Sequence, residues 1–206
     1  MGCGRKWTFD KLAKQMNRKS YPHVTQILSP LFDKSMSSFR ARMGIDKANE
    51  IIKAKADFGT AVHDAIDAFN KNRKPDIHDD EVQKRFDLYL DWHKRNVEEV
   101  FLSEYHVWHD TFRYQGTFDI LLKLKGDDCL AMVDVKTPET VSESWALQIN
   151  AYRQAFESMK IKKYPKIGRS LVLQLTDKSK IHELQSEKYF MEFLRFLYNY
   201  NKGERT

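Results

Sequence analysis

The spacing of apolar residues changes near residue 100, and this change constrains the fold more than any other feature. Before it, apolar residues recur every three or four positions, as in Val62, Ile66 and Phe69, which is the period of an amphipathic helix. After it, three successive segments have the length and residue types of β-strands, at 100–108, 114–124 and 129–137. The chain is therefore expected to begin with helices and to continue into a sheet.

The rest of the chain extends this pattern. Residues 142–160 have helical spacing, residues 168–177 and, more weakly, 180–185 resemble strands, and residues 187–200 form an amphipathic helical pattern. The predicted order after residue 99 is βββαβ(β)α. We therefore predict an α/β fold in which helices flank a mixed central sheet. The predicted single domain is 1–206, with a mainly helical part at 1–99 and a core at 100–206.

Composition excludes several classes of protein. The chain has 206 residues, of which 41% are hydrophobic, so it can bury a substantial core. It has no apolar run of the ~20 residues that span a bilayer, and its start lacks the apolar region of a signal peptide. Its two cysteines, Cys3 and Cys129, are too few for a four-cysteine metal site. These features predict no membrane association and an intracellular reducing compartment, such as the cytoplasm (that of the host if the source is viral).

Acidic residues and a lysine stand in strand sequence that is otherwise mostly apolar. Residues i and i+2 of a strand share a face, so Asp134 and Lys136 project together while the neighbouring valines face the other side. Asp119 lies on the preceding strand, and Glu104 lies on the strand before that. Such carboxylates suit a hard cation such as Mg²⁺, and the lysine could orient or help to deprotonate an attacking water. The alternative is a cross-strand Asp–Lys salt bridge, which is the commoner role of an isolated D-x-K.

Two helices carry further polar pairs. His63 and Asp67 are one helical turn apart, directly after a Gly-Thr pair, and Gln148 and Tyr152 are one turn apart on the helix that follows the D-x-K strand. Taken alone, His63 is more typical of a partly buried histidine than of a metal ligand. Gln148 and Tyr152 alone are ordinary residues of an amphipathic helix. Any one of these polar features could occur by chance, but it is much less probable that all of them occur by chance in this order along one chain.

Five short segments, "GTAVH", "SEYHV", "GTFD", "DVKT" and "QINAY", resemble the motifs of the PD-(D/E)XK nucleases. The most similar subgroup is the RecB-type exonucleases, which includes CRISPR adaptation nucleases, a mitochondrial genome-maintenance exonuclease and many phage enzymes. The segment "YPHVTQIL" is also similar to the start of several of them. The resemblance covers roughly residues 20–155, and its motifs are specific in combination.

The resemblance implies a metal site. Asp119 and Asp134 would ligate the ion directly, and the carbonyl of Val135 would be a further contact. His63 matches the histidine by which this subgroup joins the metal site from a helix. Glu104 matches a position that is often acidic and whose role varies. The implied cofactor is Mg²⁺ or Mn²⁺, as one or two ions.

The resemblance also implies an activity. Lys136 would position the attacking water, and Gln148 and Tyr152 would orient the lysine, a water or the DNA backbone. The expected reaction is hydrolysis of DNA at ends or in single strands, which leaves a 5′-phosphate and a 3′-hydroxyl. A structure-specific or sequence-specific endonuclease, and a non-catalytic nucleic-acid-binding or assembly subunit, remain alternatives. The chain lacks the cysteines of the iron–sulfur members, so no function of that cluster is expected.

Positive charge is concentrated near the start of the chain. Residues 1–56 hold 12 Lys and Arg against 4 Asp and Glu, whereas the other 150 residues hold 23 against 25. Such asymmetry permits a polyanionic partner, although a solvated helical surface would also explain it. The predicted DNA contacts form two clusters: Lys11, Lys14, Arg18 and Lys19 in the first, and Lys160, Lys162, Lys163 and Lys166 in the second.

Overall fold

A computed structural model describes residues 20–161 and 163–203, with the side chains of 33–35 excepted. The helices and strands of this part follow one another in a fixed order. They are α1 (Val24–Ile27), α2 (Ser29–Met43), α3 (Ile45–Asn70), α4 (Asp80–Asn96), β1 (Val97–His109), β2 (Tyr114–Leu124), β3 (Leu130–Lys136), α5 (Glu143–Ser158), β4 (Ile167–Leu175), β5 (Ser179–Glu183) and α6 (Glu187–Lys202). None of the helices in the described part is both long and apolar enough to cross a membrane.

The five strands form one mixed sheet in the order β1-β2-β3-β4-β5. Neighbouring strands are antiparallel except for β3 and β4, which are parallel. Parallel neighbours need a crossover, and α5 provides it. The α/β prediction, the mixed sheet and the weakly indicated fifth strand are therefore confirmed. β1 begins at Val97, three residues before the predicted segment.

Local sequence explains where the helices begin. The carboxylate of Asp79 accepts hydrogen bonds from the backbone N–H groups of Glu81 and Val82, which caps α4. Ser142 caps α5 in the same way, through the N–H of Ser144. Pro30 lies in the first turn of α2, where its missing N–H breaks no helical hydrogen bond. Capping thus fixes the start of α5 close to the end of β3, where the D-x-K residues lie.

The sheet buries a core on each face. One core packs residues of α3 and α4, such as Val62 and Phe86, against Val133 and Val135 of β3. The other packs residues of α1, α5 and α6 against Met132 of the same strand. The alternation of β3 is therefore as predicted, with the valines on the face opposite to Asp134 and Lys136. Helix α3 is continuous through Gly59, and its second half carries His63 along the end of the sheet.

Candidate active site

Three side chains from different elements bring their ligand atoms together. His63 of α3, Glu104 of β1 and Asp119 of β2 each offer one donor atom, and these atoms all lie within 4.8 Å of one another. Nδ1 of His63 is 3.5 Å from Oδ2 of Asp119 and 3.6 Å from Oε1 of Glu104. The structure thus brings together three of the five residues predicted to ligate a metal.

Strand pairing places Glu104 beside Asp119. Ser103 pairs with Ile120 and Tyr105 with Phe118, so Glu104 lies opposite Asp119 in the antiparallel ladder. The backbone of Glu104 has φ = 46°, a left-handed conformation that is unfavourable for a residue with a side chain. Such backbone strain costs about 1–3 kcal/mol and is concentrated at functional sites in proteins.

The face alternation of β2 also changes at this point. Phe118 belongs to the core beneath α5, whereas Ile120, two residues later, belongs to the core beneath α3 and α4. In a regular strand both would lie on one face. The change occurs at Asp119, which lies opposite Glu104 in the ladder. Both strands are therefore distorted where they carry the carboxylates.

Asp134 and Lys136 form a buried pair next to this group. Oδ2 of Asp134 lies 2.7 Å from Nζ of Lys136, and the Asp134 side chain is only 1% exposed. Oδ1 of Asp134 is buried and has no hydrogen-bond partner among the described residues. Asp134 and Lys136 project together as predicted, but they pair within β3 rather than across two strands, and the pair leaves an unpartnered carboxylate oxygen. A salt bridge alone does not explain this oxygen, since buried polar atoms are nearly always hydrogen-bonded.

Two residues of helix α5 form a chain of hydrogen bonds that begins at Lys136. Nζ of Lys136 donates to Oε1 of Gln148 at 3.2 Å, and Nε2 of Gln148 donates to the hydroxyl of Tyr152 at 3.0 Å. Gly116 of β2 makes room for the Tyr152 ring, because a Cβ at this position would lie 2.3 Å from a ring carbon. The predicted pair on α5 thus reaches the lysine as one chain of hydrogen bonds.

Val135 is joined to the site through its backbone. Its N–H donates to Oδ2 of Asp119 at 2.6 Å, so the carboxylate continues the contact between β2 and β3 beyond the last ladder pair, Ile120 and Val133. This bond fixes the orientation of the Asp119 side chain. The role of the Val135 carbonyl in metal binding stays a prediction.

Burial and neighbouring charges shift the pKa values of the site residues. Burial would lower the pKa of His63, but the charge and hydrogen bond of Asp119 and the hydrogen bond of Glu104 outweigh it and hold that pKa well above its ordinary value. Burial raises the pKa of Asp134 to about 6, although the charge of Lys136 opposes the shift. Burial would likewise lower the pKa of Lys136, but Asp134 and Asp119 hold it above the ordinary value.

The donor set fits a divalent cation. Carboxylate oxygens suit Mg²⁺, and an imidazole nitrogen beside them suits Mn²⁺ as well. The residues that could hold the ion are His63, Glu104 and Asp119, whereas metal ligation by Asp134 stays a prediction. A cation bound by these residues would offset the repulsion between their carboxylates.

Two polar residues near the site have roles that the sequence did not reveal. Asp67 lies one turn after His63 yet does not join the group of three; its Oδ1 accepts a hydrogen bond from Ser103 at 2.8 Å. Gln174 of β4 is 1% exposed, and its amide donates to the carbonyls of Pro138 and Glu139, in the loop after Lys136. Gln174 could have been identified from the sequence, because it is a polar residue within the apolar segment "LVLQL".

The predicted DNA-binding residues are only partly described. Lys11, Lys14, Arg18, Lys19 and Lys162 lie outside the described residues. Lys160, Lys163 and Lys166 are exposed and lie between α5 and β4. The carbonyl of Lys166 accepts from the N–H of Leu130, at the start of β3, whereas the carboxylates lie near its other end, about 13 Å along the strand. DNA contact at this second cluster stays a prediction.

Comparison with known proteins adds no assignment: no family model matches this chain, and none of the curated proteins matches it either. The function of the protein therefore has to be inferred from its residues and their geometry.

Proposed function

We propose that this protein is a divalent-metal-dependent nuclease of the PD-(D/E)XK type, which hydrolyses phosphodiester bonds in DNA. One observation carries the proposal: residues far apart in the chain converge where β3 ends beside the middle of β1 and β2. The group of His63, Glu104 and Asp119 lies beside the Asp134–Lys136 pair, and Val135 N–H links the two through Asp119. An ordinary salt bridge within β3 needs neither the histidine nor the other two acids.

The carboxylates and His63 would hold Mg²⁺ or Mn²⁺, as one or two ions. A cation held there lowers the pKa of water and neutralises charge on the scissile phosphate. Without such a cation the acidic groups would repel a phosphodiester. The same residues therefore explain both why an ion is needed and where a phosphate would approach.

Lys136 supplies the positive charge that the chain itself brings to the reaction. Asp134 and Gln148 both contact its Nζ, so the ammonium group has a fixed position. From there it can donate a hydrogen bond to the attacking water and stabilise charge on the phosphate oxygens. Tyr152 acts indirectly, because its hydroxyl accepts from Gln148 and holds that amide in place.

In the proposed reaction the oxygen of water forms a bond to phosphorus, and the bond from phosphorus to the 3′ oxygen breaks. The leaving oxygen takes up a proton, so the products are a 5′-phosphate and a 3′-hydroxyl. The exonuclease mode, on DNA ends or single strands, is supported by the resemblance of the motifs to RecB-type exonucleases. The geometry of the site supports the hydrolysis itself.

The test uses purified full-length protein with linear single-stranded, linear duplex and closed circular DNA, each with Mg²⁺, with Mn²⁺ and with EDTA. We expect metal-dependent loss of the linear substrates from their ends, with the circles intact. Asp119→Asn is the matched inactive variant, since an amide oxygen can still accept from Val135; its rate should fall about 10²–10³-fold. Cleavage of circles would indicate an endonuclease. Binding without cleavage in any metal would indicate a nucleic-acid-binding subunit and contradict the proposal.

A further inference from the structure

A second charged group lies one helical turn from His63. Oδ1 of Asp67 is 2.7 Å from Nζ of Lys71, and its Oδ2 is 2.7 Å from Nη2 of Arg73. The Asp67 side chain is 13% exposed, whereas those of Lys71 and Arg73 are 44% and 61% exposed. One largely buried carboxylate therefore holds two cations at the surface, and the group keeps a net charge of +1.

This group borders a cleft that leads to the candidate metal site. The cleft, of about 370 Å³, lies between the end of α3 and β1, and Lys71, Ser103 and Glu104 are among the residues that line it. Glu104 is also a member of the metal-binding group. Ser103, the residue before it, donates to Asp67, which fixes β1 to α3 at this point. Lys71 and the metal-binding residue Glu104 thus line the same cleft, and Arg73 lies beside it on Asp67.

Asn70 also lines the cleft, but its side-chain nitrogen lies below the surface. This Nδ2 has no hydrogen-bond partner among the described residues. The other end of this amide is fixed, because its Oδ1 accepts from the hydroxyl of Tyr89 at 2.7 Å. Asn70 thus fixes the end of α3, next to Lys71, against Tyr89 of α4.

We propose that this cleft binds the phosphate adjacent to the scissile phosphate of a nucleic-acid strand, through Lys71 in its lining and Arg73 beside it. The proposal rests on the proposed nuclease function and adds the path of the strand beyond the metal site. The carboxylates repel a polyanion, so a neighbouring site of opposite sign is needed to hold the strand. Arg73 contacts Asp67 through one nitrogen of a guanidinium that has five N–H donors, which suits recognition of a phosphate.

One cation would neutralise Asp67, but two are present, one on each carboxylate oxygen. The excess positive charge at the surface is what a bound anion would neutralise. A larger cavity, of about 880 Å³, lies between α6 and the β1–β2 turn and has none of the candidate metal-binding residues in its lining. Of these two, the smaller cleft has both a cation, Lys71, and a candidate metal-binding carboxylate, Glu104, in its lining.

The test compares Lys71→Gln/Arg73→Gln with the control Lys84→Gln/Arg95→Gln. The control removes a lysine and an arginine of α4 that pair with Glu81 and Asp91. Binding of a fluorescent 20-nucleotide single strand is measured by anisotropy in EDTA, over a range of salt. We expect the first variant to bind about five- to twentyfold more weakly, with a slope of log K against log salt that is flatter by about 0.7–1.4. The control should bind like the unmodified protein, and melting curves check that both variants fold.

A second probe separates this inference from the proposed function. The 4-nitrophenyl ester of thymidine 5′-phosphate has one phosphodiester and no neighbouring phosphate. With Mn²⁺, we expect Lys71→Gln/Arg73→Gln to hydrolyse it within twofold of the unmodified rate, while its KM for the oligonucleotide rises. Equal losses on both substrates, or equal binding by the variant and its control, would overturn the subsite. If the unmodified protein cleaves neither substrate, the nuclease function fails, and the binding measurement still decides whether the cleft holds the strand.

Discussion

At the scale of single residues, the pair of Asp134 and Lys136 shows how burial and charge are balanced. Asp134 is 1% exposed and Lys136 is 17% exposed. The charge of the buried carboxylate is therefore compensated by the lysine on one oxygen, while the other oxygen has no partner among the described residues. Removing one partner of a buried pair leaves an uncompensated charge, which is more unfavourable than removing both. The pair can therefore be tested through stability as well as through activity.

We expect Lys136→Met to lower the free energy of unfolding by about 3 kcal/mol in EDTA, because Asp134 is left buried without its counter-charge. The double variant Asp134→Asn/Lys136→Met should recover at least half of that loss, although both proteins should be inactive. Urea unfolding at neutral pH gives the two values. A double variant that is no more stable than Lys136→Met would mean that the two side chains do not interact.

Glu104 allows strain and function to be separated at one position. Its φ of 46° favours glycine, so Glu104→Gly should be more stable than Glu104→Ala by about 1 kcal/mol. Both variants lack the carboxylate, so both should need more Mg²⁺ or Mn²⁺ for half-maximal activity, and by a similar factor. Chemical unfolding and metal titration of the two proteins measure these effects. Equal stabilities would show that the backbone is not strained, and unchanged metal requirements would exclude Glu104 as a ligand.

At the scale of secondary-structure elements, the contact between β2 and α5 controls the lysine. Gly116 lies against the ring of Tyr152, whose hydroxyl accepts from Gln148, which in turn contacts Lys136. The ring is almost fully buried, so it has little room to move away from an added methyl group. The glycine of "GTFD" thus has a packing role in addition to its place in the motif.

This contact predicts two different outcomes. Gly116→Ala should destabilise the protein by about 1–3 kcal/mol, because the new Cβ would overlap with the Tyr152 ring. Tyr152→Phe keeps the ring and removes only the hydroxyl, so it should lower kcat about tenfold or more with a much smaller effect on stability. Melting curves and steady-state kinetics distinguish the two. A Tyr152→Phe protein with full activity would mean that the hydroxyl does not position Gln148.

The same elements show what the sequence could and could not predict. Alternation within β3 placed Asp134 and Lys136 together, and helical spacing placed Gln148 and Tyr152 on one face of α5; both are confirmed. The left-handed backbone of Glu104 was not predictable, because the glutamate residue carries no sign of it. Local patterns thus predict the direction of side chains within regular elements.

Contacts between different helices and strands could be identified only from the folded structure. Asp67 lies one turn from His63 on α3, yet spacing could not show that it turns to Ser103, 36 residues later, and to Arg73 rather than to the carboxylates. Such a choice depends on where α3 crosses β1, which is a property of the packed structure. The distances that define the site were accessible only from the fold.

At the scale of the whole molecule, the candidate site draws on α3, β1, β2, β3 and α5, so it exists only in the folded chain. A ligand that binds the folded state alone stabilises it by RT ln(1 + [L]/Kd), about 2.7 kcal/mol at a concentration of one hundred times Kd. Here a cation would also relieve the repulsion among Glu104, Asp119 and Asp134. Metal binding should therefore be visible in the stability of the protein, independently of any DNA.

We expect Mn²⁺ or Mg²⁺ to raise the Tm of the unmodified protein by about 5–10 °C at saturating concentration, since about 2.7 kcal/mol corresponds to such a shift in a domain of this size. Asp119→Asn should lose most of the increase. His63→Ala should lose more of the increase with Mn²⁺ than with Mg²⁺, because a nitrogen ligand suits the transition metal better. Lys71→Gln/Arg73→Gln, which leaves the carboxylates in place, should keep it. Scanning calorimetry with each metal and with EDTA gives the four comparisons, and an increase of the same size in Asp119→Asn would show that the cation binds elsewhere.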